Sequence, residues 1–167
     1  MIYGRKGNTI LFQNAHQLYD EFWRLLIDNT PNTLEKHNIE ETLFKVAEYA
    51  LSQKTLSPII SLDADGELAL DYLASNNAVI KNNHCFSFFH QSFYDYTLAK
   101  LYTQKDGSFF EKIQDSFQGF EMRSSVKAVL EYNRAHTPIQ YFNDLQLIFQ
   151  SPKIRQHIKL LALSLIA

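Results

Sequence analysis

A single cysteine, Cys85, leaves this chain without an internal disulfide. It also lacks any uninterrupted apolar run of about 18 residues, the length a membrane-crossing helix needs, and a secretory leader. The expected setting is therefore cytoplasmic, with no membrane. Charge of one sign is missing too: the formal net charge of −2 gives no global pull toward nucleic acid or acidic lipid. The small acidic excess lies before Gly119, and basic residues outnumber acidic ones after it. The motifs of nucleotide chemistry are absent as well. There is no GxxxxGK(S/T) loop, no paired-carboxylate Walker B strand and no GxGxxG, so nothing here cradles a triphosphate with Mg²⁺. Taken alone, the chain is expected not to be an enzyme and to hold no cofactor.

What is present is apolar and aromatic. A content of 46% apolar and 14% aromatic residues over 167 positions is ample for a buried core, and it excludes disorder. The length suits one medium domain or two small ones.

Met1 to Thr9 reads as an extended lead-in. A first helix is predicted from about Asn14, its N-cap, to Asp28, with Leu18, Phe22, Leu25 and Leu26 on one face and Trp23 widening it. Pro31 breaks the chain there. A second helix opens at Asn38, with Glu41 three residues on as a capping-box-like pair. It carries Leu43, Val46, Ala47, Ala50 and Leu51 inward and ends near Lys54. Asp63 or Asp65 caps a third helix through Leu68, Leu70, Tyr72 and Leu73, closing at Asn76-Asn77. Ala78 to Lys81 and His84 to Phe89 are predicted strands joined by Asn82-Asn83, with Phe86 and Phe88 facing inward.

Three helices followed by a two-stranded wing spell a winged helix-turn-helix, whose common use is DNA binding. The helix before the wing would then meet phosphates, yet it carries Asp65, Glu67 and Asp71 and no Lys or Arg. Three carboxylates facing a polyanion repel it, and the wing offers only Lys81. Nucleic acid is therefore not the expected partner.

A fourth helix is predicted over about Gln91 to Gln104, with Phe93, Tyr96, Leu98, Leu101 and Tyr102 against the body. Phe109 to Phe117 and Phe120 to Ala135 follow, the latter with Val126, Val129 and Leu130 inside. Thr137-Pro138 and Ser151-Pro152 each place a hydroxyl at an N-cap and Pro at the first helical position. Capped helices of this size suggest stacked pairs, as in HEAT-like solenoids. The final "IKLLALSLIA" is apolar nearly all round and reads as a cut edge of such an array. The expected fold class is thus mainly α: a winged helix-turn-helix with a short β-hairpin, then HEAT-like helical hairpins.

The organising point is His90, where the period switches from alternation to helical spacing. Around it, "FSFFHQSFYDYTLAKLY" resembles the end of the winged-helix domain in NACHT-type signalling ATPases of the STAND class, with their "HxSFxEYxxAxxL" helix. "LASNNAVIKNNHCFSFFH" is similar to the hairpin that precedes that helix. "LFQNAHQLYDEFWRLLI" is similar to the end of the helical lid, and "SPKIRQHIKLLALSLI" to the first repeats of the following array. Asp95 stands where the family usually has Glu.

The resemblance implies three parts: 1–30 the end of a helical lid, 31–105 a winged-helix domain, and 106–167 the start of a helical-repeat region. It implies a regulatory role, defence signalling included, that couples ADP or ATP state to the repeats. The ATPase parent would bind nucleotide with Mg²⁺ in an upstream domain of the same polypeptide, and the repeats would meet an unknown protein or ligand trigger. His90 matches the histidine that reaches the phosphates of bound ADP in that family, a role suited to a ring donor at a helix N-terminus. The alternative is that His90 caps helix four or packs beside Phe89. Tyr94 and Asp95 are the more exposed pair by spacing and are expected to contact the nucleotide-binding domain.

Other constellations are discounted. His84 and Cys85 are strand neighbours pointing to opposite faces, so a metal shared with His90 is not expected, and Cys85 reads as a small buried hydrophobe. Ser92, His90 and Asp95 hold triad residue types without a nucleophile elbow. Arg155, His157 and Lys159 form a basic cluster, either a solvated face or a surface for an acidic partner. The rival readings are a free-standing winged-helix nucleic-acid regulator and a helical-repeat interaction scaffold.

Overall fold

The computed structural model describes residues 15–82, 85–104, 108–116 and 118–166. The predicted lead-in, the Asn14 cap, Asn83, His84 and Gly107 lie outside them. The described residues form eight helices and one two-stranded antiparallel sheet, in the order α1 (Ala15–Asp28), α2 (Lys36–Gln53), α3 (Ala64–Ser75), β1 (Val79–Asn82), β2 (Cys85–Phe88), α4 (Gln91–Gln104), α5 (Phe109–Gln114), α6 (Met122–His136), α7 (Pro138–Gln150) and α8 (Gln156–Ile166). None of these helices is long and apolar enough to cross a membrane.

The chain is built around α4. Its residues from Phe93 to Ala99 are all buried, because α1, α2 and the hairpin cover one side and α6 packs along the other. A helix covered on both sides needs no amphipathic stripe, and its sequence shows little of one.

α1 is rotated relative to the predicted face. Trp23 and Leu26 are buried with Tyr19 partly so, while Leu18 (44%) and Leu25 (43%) are exposed. The stripes 18/22/25 and 19/23/26 differ by one residue, and the one carrying the larger aromatic area faces the core. Trp23 lies 6.2 Å from Phe93 and 6.0 Å from Tyr96 between ring centroids, and its indole N–H donates to Glu40 at 2.8 Å.

α2 begins at Lys36, two residues ahead of Asn38, with Glu35 at the N-cap making no side-chain cap. The Asn38/Glu41 capping pair therefore does not form, and Glu41 instead takes a hydrogen bond from Lys45 at 2.8 Å, one turn on. The helix closes at Lys54, in the left-handed region at φ 54°. Asp63 supplies the cap of α3, accepting from the Gly66 N–H at 2.9 Å. A Cβ at Gly66 would come within 3.0 Å of that carboxylate oxygen and of the Leu62 side chain, so the close approach calls for glycine.

The hairpin pairs Val79 with Phe88 and Asn82 with Cys85, turning Phe86 and Phe88 inward. Its outer edge is covered in turn: Ile59 bridges Cys85, and the Phe86 N–H donates to the Pro58 carbonyl at 3.0 Å.

Beyond α4, Ser108 and Glu111 form a capping box on α5. Pro138 opens α7 at its first turn, but the Thr137 hydroxyl donates to Asn133 rather than capping. The predicted Ser151-Pro152 start is displaced: Ser151 ends α7 and α8 begins at Gln156. The cause is tertiary. Ser151 Oγ donates to Gln114, and the Arg155 N–H, at the mouth of α8, is satisfied by Gln118 Oε1 at 2.8 Å. A side chain from another segment caps this helix, which local spacing does not reveal.

Candidate functional site

His90 sits where the hairpin enters α4. Its carbonyl accepts from the N–H groups of Phe93 (3.0 Å) and Tyr94 (3.2 Å), so its backbone opens the helix. Its side chain is exposed and its ring stands edge-on to Phe89, with centroids 4.6 Å apart. No other described residue hydrogen-bonds the imidazole. The junction itself is held firmly: the Phe89 N–H donates to Ala78 at 3.1 Å, Ser92 bonds Tyr19, and Gln91 donates to Ser124 on α6 at 3.1 Å. The ring is thus a free donor or acceptor on a fixed backbone.

Tyr94 and Asp95 do not share that surface, and their expected exposure is corrected: they are 6% and 5% exposed. The spacing argument took α4 to have one covered side, whereas α6 covers the other. Tyr94 packs on Phe88 at 5.5 Å, and burial pushes its hydroxyl well above the ordinary tyrosine range. Asp95 accepts from Ser125 Oγ at 2.6 Å; burial raises its carboxyl, with hydrogen bonds from Ser125 and Ser124 opposing. Ser92, His90 and Asp95 therefore lie on different surroundings: hydroxyl on Tyr19, ring outward, carboxyl inward. Cys85 is half-buried.

The acidic face of α3 is answered by the hairpin. Lys81 donates to Asp71 at 2.7 Å and to Glu67 at 3.1 Å, and these bonds raise its ammonium above the usual lysine range.

The basic cluster at the start of α8 is engaged internally. The Gln118 carbonyl accepts from His157 (2.9 Å) and Arg155 (3.4 Å), and Lys159 reaches the Phe149 carbonyl at 3.4 Å. Buried Gln118 also donates to the carbonyls of Ile113 and Lys153, joining α5 to the turn before α8.

One polar cluster escapes sequence reading. Asp144, 1% exposed, accepts from Ser108 (2.5 Å), Asn133 (2.7 Å) and Gln140 (2.9 Å), and Thr103 donates to Asn133 at 2.9 Å. Burial raises the Asp144 carboxyl, while the three donors pull it back. A clue was available: Asp144 stands three residues after Tyr141 and four before Ile148, on the buried stripe of α7. A cleft of about 820 Å³ opens beside it. A second cleft, about 410 Å³, lies where the end of α2 meets the first turns of α4 and α6, with Leu51, Tyr94, Ile113 and Met122 in its wall.

No family model matches this chain, and no curated protein or solved structure is significantly similar to it.

Proposed function

We propose that this chain is a non-catalytic regulatory segment of a NACHT/STAND-type signalling ATPase. Its first helices and hairpin would act as a winged helix-turn-helix, and α6 to α8 as the start of a HEAT-like array. The observation that carries the reading is the His90 junction: an exposed imidazole on a backbone tied to α1, α6 and the hairpin. Such a ring donor fits a phosphate oxygen of ADP or ATP presented by a nucleotide-binding domain, which would itself hold the Mg²⁺. The remaining contacts to the nucleotide belong to that domain, upstream in the same polypeptide. Movement of the phosphate would be felt at α4 and passed to α6, on which the repeats and their trigger depend. Tyr94 and Asp95 serve this path from inside, not as surface contacts.

Two tests decide it. The coding sequence upstream of Met1 should contain a GxxxxGK(S/T) loop; its absence ends the proposal. In the polypeptide that carries the loop, His90→Ala should speed ADP release roughly ten- to a hundredfold, the value of a hydrogen bond to a charged group. Unchanged release removes the sensor role and leaves His90 as a helix-opening residue.

Binding of nucleic acid is the weaker alternative, because the wing's Lys81 is already paired with the α3 carboxylates. The scaffold alternative draws on the exposed apolar residues Ile139 and Phe142 of α7 and Leu160 and Leu163 of α8.

A further inference from the structure

We infer that His136 and Asp20 form a proton-operated latch between α6 and α1, closed when the imidazole is charged. The inference stands apart from the nucleotide reading. α1 packs mainly on α2 and α4, and it meets α6 through two crossed side-chain contacts. His16 of α1 faces Glu131 of α6 at 3.4 Å, and His136 of α6 faces Asp20 of α1 at 3.6 Å.

The surroundings of the second ring nitrogen set the two histidines apart. His136 Nδ1 lies 3.0 Å from the Tyr132 carbonyl. A carbonyl only accepts, so Nδ1 carries the proton of the neutral ring, and Nε2 then turns a bare lone pair on the Asp20 carboxylate. Charging the ring puts an N–H on Nε2, and repulsion becomes an ion pair. Two further features favour the charge: His136 is the last residue of α6, at the negative end of the helix dipole, and its ring stacks on Tyr132 with centroids 4.1 Å apart. Asp20 is itself fixed, accepting from the Tyr96 hydroxyl of α4 at 2.6 Å. His16 is the opposite case. Its Nδ1 is buried with no hydrogen-bond partner among the described residues, so the proton sits on Nε2 and is donated to Glu131; a charge would bury an N–H without an acceptor. His16 is thus a steady pin and His136 the moving part. The other titratable neighbours are occupied. Burial pushes the Tyr96 and Tyr132 hydroxyls upward, Lys127 faces Glu131 at 3.8 Å, and Arg134 donates to the Leu165 carbonyl. In the cleft that His136 lines, Glu111 accepts from the Ser108 N–H and Asp144 from Ser108, Asn133 and Gln140.

Imidazole nitrogen chemical shifts read the tautomers, and amide exchange reads the latch. At about pH 8, neutral His136 should carry its proton on Nδ1 and His16 on Nε2. Protection factors of the α1 amides should rise about threefold between about pH 8 and about pH 5.5, the size expected of a half-exposed ion pair. In Asp20→Asn the side chain still accepts from Tyr96 and offers an N–H to the neutral imidazole, so the rise should vanish or reverse. His16→Gln keeps a donor toward Glu131 and should retain the rise. Neutral His136 protonated on Nε2 overturns the inference. So do α1 protection factors that do not change with pH, a rise that survives in Asp20→Asn, or one that is lost in His16→Gln.

Discussion

The two sides of α4 are sealed by different chemistry. Toward α1 and the hairpin the seal is aromatic: Phe93 and Tyr96 stack 6.2 Å apart and meet Tyr19, Phe22 and Trp23. Toward α5, α6 and α7 it includes buried polar groups, Asp95 with Ser125 and the Thr103–Asn133–Asp144–Ser108 chain. Aromatic packing is strong but tolerant of small shifts, since rings slide over one another. A buried hydrogen bond fixes position, because breaking it strands a desolvated partner. The hairpin side should therefore supply most of the stability, and the side facing α5, α6 and α7 the register between helices and the response to pH.

The contrast can be broken most severely at Trp23. Trp23→Ala should destabilise the chain by about 3–5 kcal/mol, read as a fall in the urea midpoint, because it empties the centre of the aromatic seal and frees Glu40. A change below about 1 kcal/mol would place the main seal elsewhere. On the polar side, Asn133→Ala should lose about 1–3 kcal/mol by stranding Asp144 Oδ2, while the Thr103 hydroxyl keeps its bond to the Ala99 carbonyl.

The third test sharpens the comparison through pH. Asp95 has a folded-state value raised above its unfolded one, so the folded chain holds that proton more tightly. Its stabilising contribution is complete below about pH 4 and is lost as pH rises through the raised value. Asp95→Asn cannot ionise and still accepts from Ser125, so it should unfold at higher urea than the parent at pH 7, with the gap closing near pH 4. A gap independent of pH would show that charge at this position is not what burial penalises. The smallest effect belongs to the surface: Lys81→Ala should change stability by about 0.5 kcal/mol, since its pairs with Glu67 and Asp71 are half-exposed. Thermal melts in low and high salt would expose that difference.

Much of the region around His90 was legible. The bounds of α4, the inward Phe86 and Phe88, an aspartate cap on α3 (Asp63 of the two expected) and the Asn76-Asn77 stop follow from local spacing and local hydrogen bonding, which act within a few residues. Tyr94 and Asp95 were misplaced because periodicity assigns one buried face per helix and cannot register a second neighbour. Leu18 and Leu25 failed for a related reason: two adjacent stripes were both apolar, and the docking of Trp23 on Phe93 selected between them.

By itself the sequence determined where most helices run, that a hairpin follows α3 and that His90 opens α4, because each depends on φ/ψ preference, capping and short-range pairing; the turn expected at Asn82-Asn83 is displaced, since Asn82 pairs with Cys85 inside the ladder. The tertiary structure alone decided that α4 is enclosed on both sides, that Asp144 and Asp95 are buried, and that Gln118 caps α8 from another segment. Those outcomes rest on which surfaces meet after collapse. Contacts between groups far apart in the chain are selected by shape and by satisfaction of buried polar atoms, and neither is written in any one window of residues.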